Sequence, residues 1–245
     1  VDKNLETMPL SESIAMSQGY IGYHLQNALT NHLRHENINK NVGTILTQAL
    51  VDVNDESFKN PSKPIGPVYT LEEIKEKGYQ DYVEDSGRGY RQVVASPLPK
   101  SLIEADMIKQ SIQDGNVVIC GGGGGIPVID KNNAYVPVDA VIDKDAAASL
   151  LAQQIDADML IILTAVNKVA LNYGTEDEEW LSEINLEKVD QYIEEGHFAP
   201  GSMLPKVEAA KRFVLANPKG KAIITSLECA KEAINGREGT VIVNE

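Results

Sequence analysis

Basic side chains are in short supply. Against 36 Asp and Glu stand only 22 Lys and Arg, so the 245-residue chain carries a formal net charge of −14. That balance argues against nucleic acid or an anionic membrane surface as the main partner. Cysteine is scarcer still. Cys120 and Cys229 are too few for a disulfide framework, and both lie in or beside apolar segments, which suits buried free thiols in a reducing cytosol. No long apolar run exists: the longest, residues 159–166, is far too short to cross a bilayer. Residues 1–10 are polar and lack the apolar core of a signal peptide. The common nucleophile motifs are missing too, since there is no G-x-S-x-G elbow and no Cys/His pair in a suggestive context. His24, His32 and His35 ride on one helical stretch. His32 and His35 could share a metal, but no third ligand stands nearby, so no metal site is assigned.

What is present centres on residues 116–152. Val117-Val118-Ile119-Cys120 reads as a short buried strand. Five glycines, Gly121 to Gly125, follow at once, and without side chains their N–H groups can close around an anion. This is not a P-loop: no Gly-Lys-Ser/Thr follows, and Pro127 blocks an immediate helix. Further on, Asp143 can cap a helix running through Ala146 to Ala152, with Asp145 in its first turn. Lys144 opposes that helix dipole. Either it is simply solvated, or an anion shares the site.

Around this centre, strands alternate with helices. Residues 11–35 form a helical stripe through Ile14, Ile21, Leu25, Leu29 and Leu33, and residues 42–53 read as one strand. Residues 54–89 look like an excursion from the main sheet, stiffened by Pro61, Pro64 and Pro67 rather than by a core of their own. Lys63 sits among those prolines, either as an exposed loop lysine or as a charge presented over a cleft. The main fold resumes with a strand at 91–95, a helix at 102–113, and a strand at 158–164. Helices follow at 186–195 and 207–215, then a strand at 221–225, a helix at 227–235 and a strand at 240–243. Ser202 is a candidate cap for the helix at 207, Pro205 suits its first turn, and Lys206 is a second lysine placed against a helix dipole. The pattern predicts an α/β protein with a mostly parallel sheet, whose ligands lie beyond the carboxyl ends of its strands. Gly121, Lys144 and Thr164 fall at such ends. Two lysines at helix starts, a glycine run and Asp145 suit phosphoryl transfer, which needs positive charge and N–H donors on the migrating group rather than a covalent nucleophile.

These residues also carry a resemblance. Met16-Ser17-Gln18-Gly19-Tyr20-Ile21-Gly22-Tyr23, Lys63-Pro64-Ile65-Gly66-Pro67, Gly87-Arg88-Gly89-Tyr90-Arg91, the glycine run through Pro127, Ala140 to Asp145, Leu163-Thr164-Ala165-Val166 and Gly201 to Lys206 resemble, in order, the carbamate kinases of the amino-acid kinase family. The resemblance implies a three-layer αβα sandwich, a cytoplasmic homodimer, and reversible phosphoryl transfer between ATP and carbamate with Mg2+, as in arginine fermentation. It implies a substrate-side lobe of residues 1–53 and 90–150, a protruding lid at 54–89 and a nucleotide-side lobe at 151–245. Lys144 and Lys206 would neutralise the transferred phosphoryl, with Asp145 holding them. Lys63 would reach the carbamoyl-phosphate site, with Gly121, Gly122, Gly123 and Gly124 on the substrate. Thr164, Ala165, Val166, Tyr173, Gly201, Ser202, Met203 and Lys206 would lie near ATP or ADP. The family's Gly-Gly-Asn-Ala and His-Gly-Asn-Gly-Pro turns do not occur in this sequence. The corresponding expectation is that a leading β-α-β unit is absent and that these residues alone are poorly soluble and inactive. Two other readings are a kinase of a different carboxylate and an inactive nucleotide-binding fragment.

Overall fold

Residues 8–85 and 87–245 are described by a computed structural model, so the first seven residues of the substrate-side lobe expected at 1–53 lie outside it, as does Ser86 within the excursion. The chain divides into two compact units, Val1–Lys144 and Asp145–Glu245.

The first unit opens with α1 (Leu10–His35), from which Gln18 and Gly22 are buried. Gly22 is needed there, because a Cβ would lie 2.3 Å from Thr44 Cγ2. The strand expected over residues 42–53 is in fact two, β1 (Val42–Thr44) and β2 (Gln48–Val51), in different sheets. The break has a physical cause outside the segment. Thr47 donates its N–H to Gln18 Oε1 at 2.8 Å, on α1, so that this N–H is lost to any ladder, and only its carbonyl joins the pairing of β2, by accepting the Ile126 N–H. The excursion forms its own antiparallel sheet of β3 (Lys63–Tyr69), β4 (Tyr82–Glu84) and β5 (Tyr90–Val94), ordered β3-β5-β4. The strand expected at 91–95 as the return to the main sheet therefore lies instead between the two strands of the excursion, which claim it by antiparallel pairing. Pro64 and Pro67 lie on its edge strand, where a missing N–H costs nothing. Between β3 and β4 runs α2 (Leu71–Lys77), closed by a Thr70/Glu73 capping box and by Gly78 at φ 63°. No residue of β3, α2 or β4 is buried. Stacked Tyr79 and Tyr82, with Tyr69 edge-on and the Lys77 ammonium over the Tyr69 and Tyr79 rings, stand in for a core.

Next comes β6 (Pro99–Leu102), where the sequence suggested a helix from 102. Leu102 is claimed by antiparallel pairing to Ala49 and is 2% exposed, so α3 begins only at Ala105 (Ala105–Gln113). Then follow β7 (Val117–Ile119), β8 (Ile126–Lys131) and β9 (Ala134–Pro137). β1 and β7 pair in parallel, and a four-stranded sheet runs β6-β2-β8-β9 with β2 and β8 parallel. Val42 faces Val117, 75 positions on, whereas Gln48 faces Ile126, 78 positions on. The glycine run takes up the three extra residues.

The second unit holds most of α4 (Lys144–Gln154), then β10 (Met159–Thr164), β11 (Val169–Leu171), β12 (Glu179–Leu181), β13 (Glu183–Asn185), α5 (Leu186–Glu194), α6 (Met203–Ala216), β14 (Lys221–Ser226), α7 (Ala230–Ile234) and β15 (Thr240–Val243). α7 starts three residues later than the sequence suggested, since exposed Leu227 opens a turn in which the Cys229 N–H donates to Ser226 Oγ. The sheet order is β10-β14-β15-β13, with six residues of β10 paired in parallel to β14. Five of the six residues of β14 are buried, as a strand covered on both faces must be. Phe213, Val207, Val214, Ile224 and Ile242 are fully enclosed and form the heart of this unit. In the first unit the parallel pair of β2 and β8 is central, with antiparallel strands outside it, whereas in the second the parallel pairs β10–β14 and β15–β13 flank a central antiparallel pair, β14–β15. The protein is α/β.

Candidate active site

α6 begins at Met203 after the turn Pro200-Gly201, where Gly201 has φ +74°. That start puts Lys206 in the first turn, a turn without any acidic residue. Lys206 Nζ instead donates to Asp145 Oδ2 at 2.9 Å. Both side chains are nearly enclosed, 13% exposed for Lys206 and 10% for Asp145. Asp145 is held there by α4, whose neighbouring residues Ala146 and Ala147 are also buried. Ser149 Oγ, one turn further on, donates to the Ala209 carbonyl at 2.7 Å and ties α4 to α6. A nearly dry ion pair at two helix starts is an expensive arrangement for stability alone. Lys144, the first residue of α4, is exposed. Ser202 occupies the N-cap position of α6, yet its side chain caps nothing. With φ −128° and ψ −78°, its Oγ turns back to the Ala199 carbonyl at 3.4 Å.

Thr164 ends β10 opposite Ser226, and Ala165 and Val166 continue beyond the strand end. They line an open cleft of about 470 Å3 with Asn167, Lys168, Trp180 and Glu238. Tyr173, 64% exposed, stands edge-on to Trp180 with ring centroids 5.9 Å apart. Trp180 escaped the sequence reading because a lone aromatic after four acids carries no periodic signal. Met203 packs against the core of the second unit.

In the first unit, the glycine run leaves β7 through Gly121 at φ +65° and turns in a short 3-10 segment, with Gly123 at φ +66°. Gly124, at φ +91°, is packed so closely that a Cβ would meet the Ile142 carbonyl at 2.5 Å. Gly122 and Gly123 are exposed. Cys120 precedes the run beside an apolar groove lined by Ile21, Leu25, Ile45 and Ile119, and burial pushes its thiol up to about 11. Lys63, at the start of β3, donates to Asp143 Oδ2 at 3.1 Å, with a third of its side chain still in water. The sequence reading also missed Thr47 and Gln18. Thr47 is fully buried and accepts the Gly121 N–H at 2.9 Å, and the Gln18 amide grips the Thr47 backbone at both ends. Among the described residues no group of three or more His, Cys, Asp or Glu could hold a metal ion.

Glycine N–H groups, lysines at helix starts and a buried carboxylate that holds one of them suit a phosphate-handling α/β protein of the kinase type. The family model of the amino acid kinase family matches residues 14–226. A carbamate kinase of Clostridium perfringens is 54% identical, the match covering 99% of this chain and 78% of that protein. A carbamate kinase-like protein of Escherichia coli is also 54% identical, over 96% of this chain and 76% of its own length. The structure of carbamate kinase from Giardia lamblia bound to AMP-PNP superposes with a TM-score of 0.91 at 44% identity, covering 99% of this chain and 78% of that one. The chain belongs to the amino acid kinase family, among its carbamate kinases.

Proposed function

We propose that the chain transfers a phosphoryl group reversibly between ATP and carbamate, making ATP when it is supplied with carbamoyl phosphate and ADP. The observation that carries this reading is the enclosed Lys206–Asp145 pair. Its carboxylate fixes the ammonium in place, which suits a reaction whose barrier is lowered by charge and position. In the ATP-forming direction a β-phosphate oxygen of ADP attacks the phosphorus of carbamoyl phosphate, and the P–O bond to the carbamate breaks. Lys206 and Lys144 neutralise the oxygens of the migrating group, and Asp145 keeps the first of these ammonium groups aimed. Gly121 to Gly124 offer N–H groups to carbamoyl phosphate, and Lys63 leaves Asp143 to meet the same substrate. Thr164, Ala165, Val166, Tyr173, Gly201, Ser202 and Met203 take the nucleotide.

In this reading residues 1–53 and 90–150 serve carbamoyl phosphate, 54–89 form a lid and 151–245 serve the nucleotide. Mg2+ enters as part of the nucleotide substrate, held mainly by phosphate oxygens and water as is usual for this ion. The protein works in the cytoplasm as a homodimer. Among the described residues no helix is long and apolar enough to cross a membrane.

The test is ATP formation from carbamoyl phosphate and Mg-ADP, followed by a luciferase readout, with acetyl phosphate as the competing donor. Turnover with carbamoyl phosphate at least a hundredfold above acetyl phosphate is expected. Preference for acetyl phosphate would overturn the substrate assignment, and no turnover with either would overturn the reaction.

A further inference from the structure

We infer that Gln18 and Thr47 are positioning residues that set the glycine run for carbamoyl phosphate, an inference that rests on reading the run as that substrate's cradle. Thr47 lies where β1 breaks from β2, beside the place where the run separates β7 from β8. It is 0% exposed, and its polar groups are all engaged. The N–H donates to Gln18 Oε1 at 2.8 Å, and the carbonyl accepts from Gln18 Nε2 at 3.1 Å and from the Ile126 N–H at 2.8 Å. The hydroxyl has one proton, which goes to the Ile45 carbonyl at 3.1 Å. Its lone pairs are thereby committed to the Gly121 N–H at 2.9 Å.

The run is thus pinned at both ends by one residue, at Gly121 through the hydroxyl and at Ile126 through the carbonyl. Gln18, 5% exposed, spends both ends of its amide on holding that residue still. It also sets the height of the run, because a Cβ on Gly122 would lie 3.1 Å from Gln18 Cγ. Within the run, the N–H groups of Gly124 and Gly125 turn inward to the carbonyls of Gly121 and Gly122. Exposed Gly122 and Gly123 are the part left to face an anion. An anion cradle gains most when its donors are already in place, since ordering them at the moment of binding costs affinity.

The experiment compares Thr47→Val, Thr47→Ser and Gly123→Ala in steady-state ATP formation, together with thermal melting. Thr47→Val keeps the shape and removes the acceptor. KM for carbamoyl phosphate should rise about tenfold, the size of one lost hydrogen bond in a dry place, with KM for ADP unchanged. Thr47→Ser should restore it, and the Gly121 amide should exchange its hydrogen faster only in Thr47→Val. A fall in melting temperature with both KM values unchanged would mean a merely structural role and overturn the inference. Gly123→Ala separates the two levels of the argument. If it raises KM for carbamoyl phosphate and Thr47→Val does not, the positioning role fails alone. If neither variant raises KM, the run is not the cradle and both readings fall. Should Thr47→Val not fold, Gln18→Asn withdraws the clamp by one methylene, and an unchanged KM for carbamoyl phosphate there would again overturn the inference.

Discussion

Replacing Lys206 by Met separates what its ammonium does for the fold from what it does for the reaction. Its Nζ stands 2.9 Å from Asp145 Oδ2, and both side chains are close to dry. At that distance the attraction is about 6 kcal/mol for an effective dielectric of about 20, before the cost of removing both charges from water. The pair as a whole therefore adds little to stability. Cutting one side of it is different, because the carboxylate then keeps its desolvation cost without its cation, and such cuts cost about 3–5 kcal/mol. Asp145 has further interactions, so the lower end, about 3 kcal/mol, is expected out of the roughly 5–15 by which a domain is stable. Urea denaturation should show this as a lower midpoint at unchanged slope. The double variant Lys206→Met/Asp145→Leu removes both charges and should recover at least half of the loss. Its kcat should nevertheless stay down by about 10²–10³, since refolding does not replace a charge missing from the transition state. A double variant that regains both stability and kcat would refute the assignment of Lys206. A single variant that loses under about 1 kcal/mol would refute the argument from the enclosed pair.

Lys63→Ala removes a partly exposed ion pair with Asp143, so stability should change by less than about 1 kcal/mol. KM for carbamoyl phosphate should still rise several-fold while ADP affinity, measured by titration calorimetry, holds; equal loss of both would point to damage in the fold. Gly124→Ala forces a Cβ to 2.5 Å from the Ile142 carbonyl at a backbone angle of +91°, and a loss of about 3 kcal/mol or more in urea is expected. A near-neutral result would mean that the run repacks freely. For Cys120 the folded thiol keeps its proton above the ordinary value of 9.0, up to about 11. Between those two values the unfolded chain binds fewer protons than the folded one, so stability should fall as pH rises from 9 toward 11. In a Cys229→Ser background, iodoacetamide should label Cys120 at pH 8 about a hundredfold more slowly than a free thiol. Labelling at the free-thiol rate would contradict the burial.

What could be read from the sequence was what neighbouring residues decide between themselves. The glycine run, the lysines at helix starts, α1, β10 and β14 all announce themselves within a few positions. The strand at 42–53 misled because Ile45 and Leu46 suit a strand as well as any residue in it. What breaks it is Gln18, 29 positions away, and no local pattern carries that. Leu102 was assigned to the wrong element for the same kind of reason, since its place is set by Ala49 across the sheet. Ser202 has the right type and place for a cap, but the backbone angles left by Gly201 turn its hydroxyl away. The tyrosine cluster of the excursion needs β3 and β4 brought together before Tyr69, Tyr79 and Tyr82 are neighbours at all.

The three residues by which the run lengthens one side of the ladder make it a phase-setter between two stretches of sheet. Upstream, Thr44 answers Ile119; downstream, Gln48 answers Ile126. Exchanging one glycine for another residue strains the backbone locally and leaves this count intact. Deleting one shifts every later residue of β8 by a position, which would turn the fully buried Val128 to the opposite face and bring Ile129 into its place. Losing two would restore the alternation but leave only two residues between Gly121 and Ile126, both of which are bound to Thr47. Changes in the number of residues in this segment are therefore propagated into the sheet, whereas changes in their kind remain where they are made.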